Sequence, residues 1–164
     1  MSKVVISVVA KSGSGKTTLL EKVIRILKEK NIKLAVIKHD AHRFEMDKPG
    51  KDTWRHAQAG ADIIAISSPE KFAMIEKREQ ELTLDEIVDR IEGVDLIITE
   101  GFKRENKPKI EVFRSTAHST LLCEPNELVA IASDIPWDIS VPCYHIDDAQ
   151  GIAEEIINFM KKKK

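Results

Sequence analysis

The sequence is short of the features that mark membrane-spanning, secreted and nucleic-acid-binding proteins. It contains two cysteines, Cys123 and Cys143, without the spacing of a metal site, and we expect both to be free thiols. No apolar run approaches the ~18 residues that a transmembrane helix needs, and the first residues do not form a signal peptide. With 26 Lys and Arg against 27 Asp and Glu, the net charge is −1, and the chain lacks the positive field of a non-specific nucleic-acid binder. We therefore expect a cytoplasmic protein with no membrane or nucleic-acid partner.

The pattern of apolar residues predicts one α/β domain over residues 1–164. Residues 4–9 form a nearly continuous, β-branched apolar run, which is typical of a strand covered on both faces. Apolar residues then recur at helical spacing over residues 17–30, and residues 34–37 predict a second buried strand. A strand, a helix and a strand in this order indicate a βαβ unit, and hence a parallel sheet with a right-handed crossover.

The rest of the chain extends this sheet and adds a hairpin. A polar loop over residues 39–53 is followed by a short helix over residues 52–59, and Thr83 and Glu86 form a capping box that opens another helix. Residues 63–66 and 72–75 predict two hairpin strands joined by a four-residue turn. Further strands are predicted over residues 94–99, 110–113, 128–132 and 143–146, before a C-terminal helix; the strand over 110–113 alternates as a half-exposed strand does.

A glycine-rich segment between the first strand and the first helix carries the strongest functional signal. Residues 10–17 read A-K-S-G-S-G-K-T, which matches G-x-x-x-x-G-K-[ST] except that Ala10 replaces the first glycine. Small residues let successive backbone N–H groups surround a phosphate chain, Lys16 can reach the β- and γ-phosphates, and the Thr17 hydroxyl can bind Mg²⁺. We predict a three-layer P-loop NTPase sandwich, with a mainly parallel sheet plus an attached β-hairpin. The predicted ligand is a purine nucleoside triphosphate with Mg²⁺, held by Ser12, Gly13, Ser14, Gly15, Lys16, Thr17 and Thr18.

Two carboxylates compete for the metal-binding role. Glu100 ends the apolar run V-D-L-I-I-T-E, and Asp40 follows the predicted second strand. Both strand ends should point to the phosphate-binding edge, because ligands bind at the carboxyl ends of strands in open α/β sheets. We assign Mg²⁺ binding to Thr17 and Glu100, and a catalytic, water-orienting role to Asp40 beside Lys16.

Four motifs in order give the chain a family resemblance. They are the phosphate loop, V-I-K-H over residues 36–39, D-K-P-G-K-D over residues 47–52 and E-G-F-K over residues 100–103. With these motifs, and with the I-A-S-D segment at residues 131–134, the chain resembles the molybdopterin-guanine dinucleotide biosynthesis protein B family over residues 3–160. The combination of the D-K-P-G-K-D and E-G-F-K motifs is specific, whereas the phosphate loop alone is shared by many proteins.

The resemblance implies a function that the spacing of residues does not reach. Members of that family are similar to the signal-recognition and MinD class of GTPases. They bind GTP, hydrolyse it weakly, act as homodimers and assist a separate nucleotidyltransferase that attaches GMP to molybdopterin. The phosphate-binding roles carry over to Gly13, Gly15, Lys16, Thr17 and Thr18, and residues 47–52 carry over as a segment that faces substrate or nucleotide.

The recognition of the base and of the pterin depends on less specific features. Asp134 follows the strand predicted over residues 128–132 and can accept hydrogen bonds from guanine N1 and N2, although an Asp before Pro136 is also a common turn former. A basic stretch follows Glu100. It can bind a pterin phosphate or an acidic partner, or it can simply be a solvated loop; its members are Lys103, Arg104, Lys107 and Lys109.

Three functions remain open from the sequence. The leading one is a GTP-binding accessory protein with slow GTPase activity, and whether it counts as an enzyme is uncertain. The second is a small-molecule kinase in which Asp40 accepts a substrate proton and Lys77 and Arg78 form part of a lid. The third is an adaptor that holds nucleotide or pterin without turnover. The apolar hairpin at residues 61–76 predicts a homodimer, because its exposed edge invites a second chain.

Overall fold

A six-stranded parallel sheet organises most of the chain. The computed structural model describes residues 3–40 and 42–163, which group into two compact units. The first, here called the sheet unit, comprises residues 3–39 and 84–163. The second, the hairpin unit, comprises the described residues between 40 and 83. The prediction of one domain over residues 1–164 stays a prediction. Within the described residues, no helix is long and apolar enough to cross a membrane.

The sheet unit alternates strands and helices as the βαβ pattern predicts. Its strands are β1 (Val4–Ala10), β2 (Leu34–Lys38), β5 (Leu96–Glu100), β6 (Lys109–Phe113), β7 (Leu128–Ser133) and β8 (Cys143–His145). They pair in the order β2-β5-β1-β6-β7-β8, and every pairing is parallel. Its helices are α1 (Lys16–Glu29), α3 (Leu84–Asp89) and α4 (Ala149–Lys163), with a short 3-10 turn over Pro125–Glu127. The predicted α/β class and mainly parallel sheet are confirmed.

Helices cover the two faces of this sheet unequally. The larger core lies between the sheet and helices α1 and α4, where residues such as Leu27 and Ile156 are completely buried. The smaller core lies on the other face, where Leu84 of α3 packs with Ile37 and Ile97. Successive side chains of a strand point to opposite faces, so the continuous apolar runs of β1 and β5 supply both cores. The result is the predicted three-layer arrangement.

Strand β6 differs from its prediction as a half-exposed strand, since all five of its residues are buried. It lies inside the sheet between β1 and β7, and its two charged side chains have partners. Lys109 Nζ donates to the Glu105 carbonyl and to Glu127 Oε1, both at 2.8 Å. Glu111 accepts from the backbone N–H groups of residues 122 and 123, at 2.6 and 2.9 Å. A polar residue in an alternating pattern can thus be buried where hydrogen bonds offset its desolvation.

Strand β2 differs in the opposite direction. It was expected to be buried, but only Ile37 of its five residues is buried, and Val36 is 43% exposed. β2 is an edge strand of the sheet, paired only with β5 among the described residues. An apolar strand of four or five residues does not by itself reveal whether its position is central or at an edge.

The hairpin unit contains helix α2 (Asp52–Gln58) and strands β3 (Ile63–Ser67) and β4 (Phe72–Glu76). The strands pair antiparallel, with Ala65 opposite Met74, so that the predicted hairpin is confirmed. Lys77 Nζ donates to the carbonyl of Ala57 at 3.3 Å, which links the hairpin to α2. The strands remain open to solvent despite their apolar sequence, and Phe72 is 66% exposed.

Candidate functional site

The loop between β1 and α1 has the backbone conformation that its glycines permit. Gly13 and Gly15 have φ values of 79° and 83°, in the left-handed region that side chains with a Cβ disfavour. The Ser14 hydroxyl donates to the Lys11 carbonyl at 2.9 Å and closes the loop on itself. Helix α1 then begins at Lys16, with no side chain capping its first N–H groups. Those unpaired N–H groups and the positive end of the helix dipole form an anion-binding surface.

This loop surrounds a cavity of about 340 Å³, which we call the phosphate cavity after the motif that lines it. The cavity is lined by residues 10–18, so every predicted phosphate-binding residue contributes to it, and by Lys103 from beyond β5. Burial lowers the pKa of Lys16. The Glu100 carboxylate opposes this effect, and the charges of Lys103 and Lys38 add to it. The cavity therefore concentrates positive charge, which an anion would neutralise.

Thr17 and Glu100 meet at this cavity, as their assignment to one metal site requires. Thr17 Oγ1 donates to Glu100 Oε1 at 2.8 Å, and Glu100 is only 9% exposed although it is charged. Neighbouring ligands of an octahedral Mg²⁺ with bonds of ~2.0–2.1 Å lie about 2.9 Å apart. The donor set, one hydroxyl and one carboxylate oxygen, thus has the chemistry and the spacing that Mg²⁺ prefers.

Asp40 belongs to the hairpin unit rather than the sheet unit. Its Oδ1 accepts a hydrogen bond from the backbone N–H of His42 at 3.0 Å, which is typical of a carboxylate at a turn. Its role in orienting water stays a prediction. Arg78, which the kinase alternative needs as a lid cation, is paired with Glu76 at 2.8 Å.

Residues 114–123, which connect β6 to the turn before β7, lie against the phosphate loop. Lys11 Nζ donates to the carbonyl and the hydroxyl of Thr120, both at 2.8 Å. His118 Nε2 lies 2.7 Å from the Ser12 carbonyl, which can only accept, so Nε2 is the donor. At its far end the segment is held by the buried Glu111 carboxylate described above. We call residues 114–123 the connecting segment.

A second cavity, of about 560 Å³, lies beside the connecting segment and shares Lys11 with the phosphate cavity. Its walls combine Phe113, which is itself buried, Ile135 and residues of the segment, including Ser115 and His118. An apolar wall with a few hydrogen-bonding groups is typical of a small-molecule site. We call it the side cavity.

Asp134 directly follows β7, as expected, and both of its carboxylate oxygens are in use. Oδ1 accepts from the backbone N–H of Ser115 at 2.8 Å and Oδ2 accepts from the Ser115 hydroxyl at 2.9 Å. These hydrogen bonds lower the pKa of Asp134. Asp134 therefore holds the connecting segment in place, and its contact with a guanine base stays a prediction.

Arg114 is a site residue that sequence reasoning missed. Its guanidinium Nη2 lies 3.2 Å from the position that a Cβ on Gly15 would occupy, so it stands directly against the phosphate loop. The sequence could have indicated Arg114 through its position, because it comes immediately after β6, as Asp134 comes immediately after β7. The sequence places Lys103 in the E-G-F-K motif and in a basic stretch, but its part in the phosphate cavity depends on a turn that the sequence does not specify.

Both cysteines are free thiols, as expected, but their surroundings differ. Burial, with the nearby carboxylates Glu111 and Glu127, raises the pKa of the Cys123 thiol to about 12. Cys143 is exposed on β8, and its Sγ lies 4.0 Å from the Ile135 carbonyl at the side cavity.

Comparison with known proteins agrees with this geometry. The molybdopterin-guanine dinucleotide biosynthesis adapter protein of Escherichia coli is 38% identical, and the match covers 93% of this chain and 90% of that protein. The protein of the same name from Haemophilus influenzae is 35% identical, over 91% of this chain and 85% of its own length. A crystal structure of molybdopterin-guanine biosynthesis protein B superposes with a TM-score of 0.75 at 30% identity, covering 96% of this chain and 99% of the other. The Bacillus subtilis MobB structure gives a TM-score of 0.73 at 27% identity, over 94% and 96% of the two chains.

The family model for molybdopterin guanine dinucleotide synthesis protein B, MobB, matches residues 5–134. This range begins in β1, includes the phosphate loop and Glu100, and ends at Asp134. The sequence motifs, the parallel sheet and the relatives agree, and the chain belongs to the MobB family.

Proposed function

We propose that this protein binds GTP with Mg²⁺ and serves as an accessory, or adapter, protein in the attachment of GMP to molybdopterin. The observation that carries the proposal is the 2.8 Å contact between Thr17 and Glu100 at the edge of the phosphate cavity. It unites the loop motif with a strand-end carboxylate, the two elements with which P-loop proteins hold a nucleotide and its metal. Four curated relatives carry adapter names of this pathway, which supports the biological role.

The phosphate chain would lie in the loop cavity. The unpaired N–H groups at the start of α1 would donate to its oxygens, and Lys16 would contribute an ammonium group whose pKa is lowered by burial. Thr17 and Glu100 would hold Mg²⁺, directly or through water. When bound, the metal neutralises part of the phosphate charge.

The nucleoside half of GTP would occupy the side cavity. Because Lys11 lines both cavities, a ligand whose phosphates fill the first extends naturally into the second. Ile135 is partly exposed and offers apolar surface to a base, and Asp134 lies next to both Ser115 and Ile135 for guanine recognition. Residues 47–52 of the hairpin unit are one candidate for binding the pterin, and the basic stretch after Glu100 in the sheet unit is another.

Hydrolysis, where it occurs, would be slow. The residues of the loop position the phosphates and stabilise negative charge, which supplies part of the barrier reduction in phosphoryl transfer. We assign the orientation of water to Asp40. A slow rate suits an accessory protein whose task is to deliver nucleotide or pterin to a separate nucleotidyltransferase, in the cytoplasm.

Assembly as a homodimer is part of the proposal. In the hairpin, β3 and β4 place Phe72 and Met74 on one face, 66% and 53% exposed, and Ile66 and Ile75 on the other, 57% and 38% exposed. Apolar side chains on both faces of a two-stranded sheet favour cover by a second chain. A symmetric dimer through residues 61–76 would supply it.

The test is a titration with GTP, ATP and GDP, each with and without Mg²⁺, followed by incubation of labelled GTP with the pterin. We expect GTP to bind more tightly with Mg²⁺ than without it, and free phosphate to appear slowly. A phosphorylated pterin would instead indicate a kinase. Binding of GTP without release of phosphate would support the adaptor function and contradict the GTPase activity. Absence of GTP binding would overturn the proposal.

A further inference from the structure

Two cations that lie outside the phosphate-loop motif stand beside it. In the sheet, β1 lies between β5 and β6, and all three strands are parallel. Lys103 follows the end of β5 and Arg114 follows the end of β6. Because the carboxyl ends of parallel strands share one edge of the sheet, both cations flank the loop that follows β1.

Lys103 is directed into the phosphate cavity by a constrained turn. Gly101 has φ of 105°, and its N–H donates to the Val8 carbonyl of β1 at 3.2 Å. A Cβ on Gly101 would lie 3.2 Å from His39 Cβ, so glycine is needed both for the conformation and for the space. Among the described residues that line the cavity, Lys103 is the one that comes from outside residues 10–18.

The turn continues through Phe102, whose φ of 56° is unusual for a bulky residue. Its ring packs against His39, with centroids 4.7 Å apart, and joins the smaller core. The strained backbone of Phe102 is held in place by the smaller core. Such strain is typical of functional sites, where it fixes the position of a neighbouring side chain. The side chain delivered here is that of Lys103.

Arg114 reaches the loop from the other side. Arg114 is a partly exposed residue, and its guanidinium lies against Gly15, the residue that precedes α1. Within residues 3–40 and 42–163, that guanidinium makes no hydrogen bond and no salt bridge. Arginine is suited to phosphate recognition because its planar group can donate two parallel hydrogen bonds.

We propose that Lys103 and Arg114 are phosphate-binding residues that clamp the nucleotide from opposite sides of the loop, Lys103 on the terminal phosphate and Arg114 on the α-phosphate. This inference rests on the proposed function. Lys103 shares its cavity with Lys16 and Thr17, the residues expected at the β- and γ-phosphates. Arg114 lies between Phe113 and Ser115, which line the side cavity, and therefore stands on the nucleoside side of the loop.

The shared cavity supports the assignment. Lys16 and Lys103 line it together, so two positively charged side chains face the same space and repel each other. A phosphate between them would turn this repulsion into two attractions. The clamp thus adds selectivity for a filled terminal position, which GDP and GMP do not offer.

The experiment measures the affinities of GTP, GDP, GMP and inorganic triphosphate by calorimetry. Lys103→Ala should weaken GTP and triphosphate about 10- to 100-fold while changing GMP less than about 2-fold. Arg114→Ala should weaken all three nucleotides by about 10-fold or more. Lys103→Arg should restore most of the GTP affinity, and the exposed α1 variants Lys22→Ala and Arg25→Ala serve as controls with the same charge change.

Three outcomes would overturn the clamp: GTP affinity in Lys103→Ala equal to that of Lys22→Ala, equal losses for GTP and GMP in Lys103→Ala, or nucleotide affinities in Arg114→Ala equal to those in Arg25→Ala. Thermal melting of each variant shows whether a loss of affinity comes from a missing phosphate contact or from unfolding. If an alanine variant melts at a lower temperature than the wild type, Lys103→Gln and Arg114→Lys replace it in the test. Failure of the proposed function has a different signature. The protein would then bind inorganic triphosphate, and Lys103→Ala would weaken that binding, but the protein would bind GTP no more tightly than ATP.

Discussion

Strands β4 and β5 have similar sequences but differ in their exposure to solvent. β4 reads F-A-M-I-E and β5 reads L-I-I-T-E, so each carries apolar residues and ends in glutamate. All five residues of β5 are buried, and four of five in β4 are exposed. Glu100 of β5 contacts Thr17 of the phosphate loop, whereas Glu76 of β4 pairs with Arg78. The sheet to which a strand belongs therefore decides whether its apolar residues are buried beside the phosphate loop or left open to solvent.

The sharpest test of this division is Lys16→Ala, for which we expect triphosphate binding to be abolished and dimerisation to be unchanged. Lys16 should make at least two charge-assisted contacts to phosphate, each worth ~1.5–3 kcal/mol. The fold should survive, because no hydrogen bond of the described residues depends on the Lys16 ammonium. Calorimetry with GTP and a melting curve, with Lys22→Ala as control, make the measurement. If Lys16→Ala folds normally and binds GTP with wild-type affinity, the assignment of the phosphate site is wrong.

The converse change is Phe72→Asp in β4, which should convert a dimer into a monomer and leave GTP affinity unchanged. Burying a phenylalanine contributes ~1.5–3 kcal/mol, and a symmetric interface contains two copies of it. Light scattering at tens of micromolar reports the mass, and Lys71→Glu in the exposed turn of the hairpin is the control. A wild-type protein that is already monomeric at this concentration would reject the hairpin interface.

Glu100→Gln probes the buried end of β5. We expect it to weaken Mg²⁺-dependent GTP binding by about 10-fold or more, because a neutral amide replaces a charged metal ligand, and to spare GDP binding without Mg²⁺. The two affinities are compared in the same buffer with Mg²⁺ or with a chelator. Equal losses in both would make Glu100 a structural residue and move the metal role to Asp40.

Asp134→Asn should have the smallest effect, a loss of GTP affinity of about 10-fold with a shift toward xanthine nucleotides. The amide retains one acceptor for Ser115 and presents a donor to the base. Competition among GTP, XTP and ATP measures the preference, and Ser115→Ala removes the hydroxyl hydrogen bond to Asp134 while the backbone one remains. A uniform loss for all three nucleotides, matched by Ser115→Ala, would restrict Asp134 to holding the connecting segment.

The fold was largely predictable because buried parallel strands and amphipathic helices carry strong periodic signals. The phosphate loop was predictable because its chemistry is local: glycines, Lys16 and Thr17 are consecutive in the chain. The pairing of Thr17 with Glu100 was expected from the shared edge of the sheet, and the contact confirms their proximity.

What the sequence could not supply depends on long-range packing. The burial of β6 rests on partners that Lys109 and Glu111 find in distant loops, and the exposure of β2 rests on its edge position. Arg114 was not predicted, because the local sequence does not distinguish an arginine that contacts a site from one that is fully solvated after the end of a strand. Its approach to Gly15 exists only once β1 and β6 are side by side.

The contrast between the two thiols makes the molecule suitable for spectroscopy without engineering. A pKa of about 12 leaves about one Cys123 thiol in ten thousand ionised at pH 8, and thiolates are the species that react with maleimides. Cys143 is exposed, and its sulfur contacts the backbone of Ile135 at the wall of the side cavity. A single fluorophore placed there would report the arrival of a nucleoside in real time, and its on-rate could be compared with that of inorganic triphosphate in the adjoining loop.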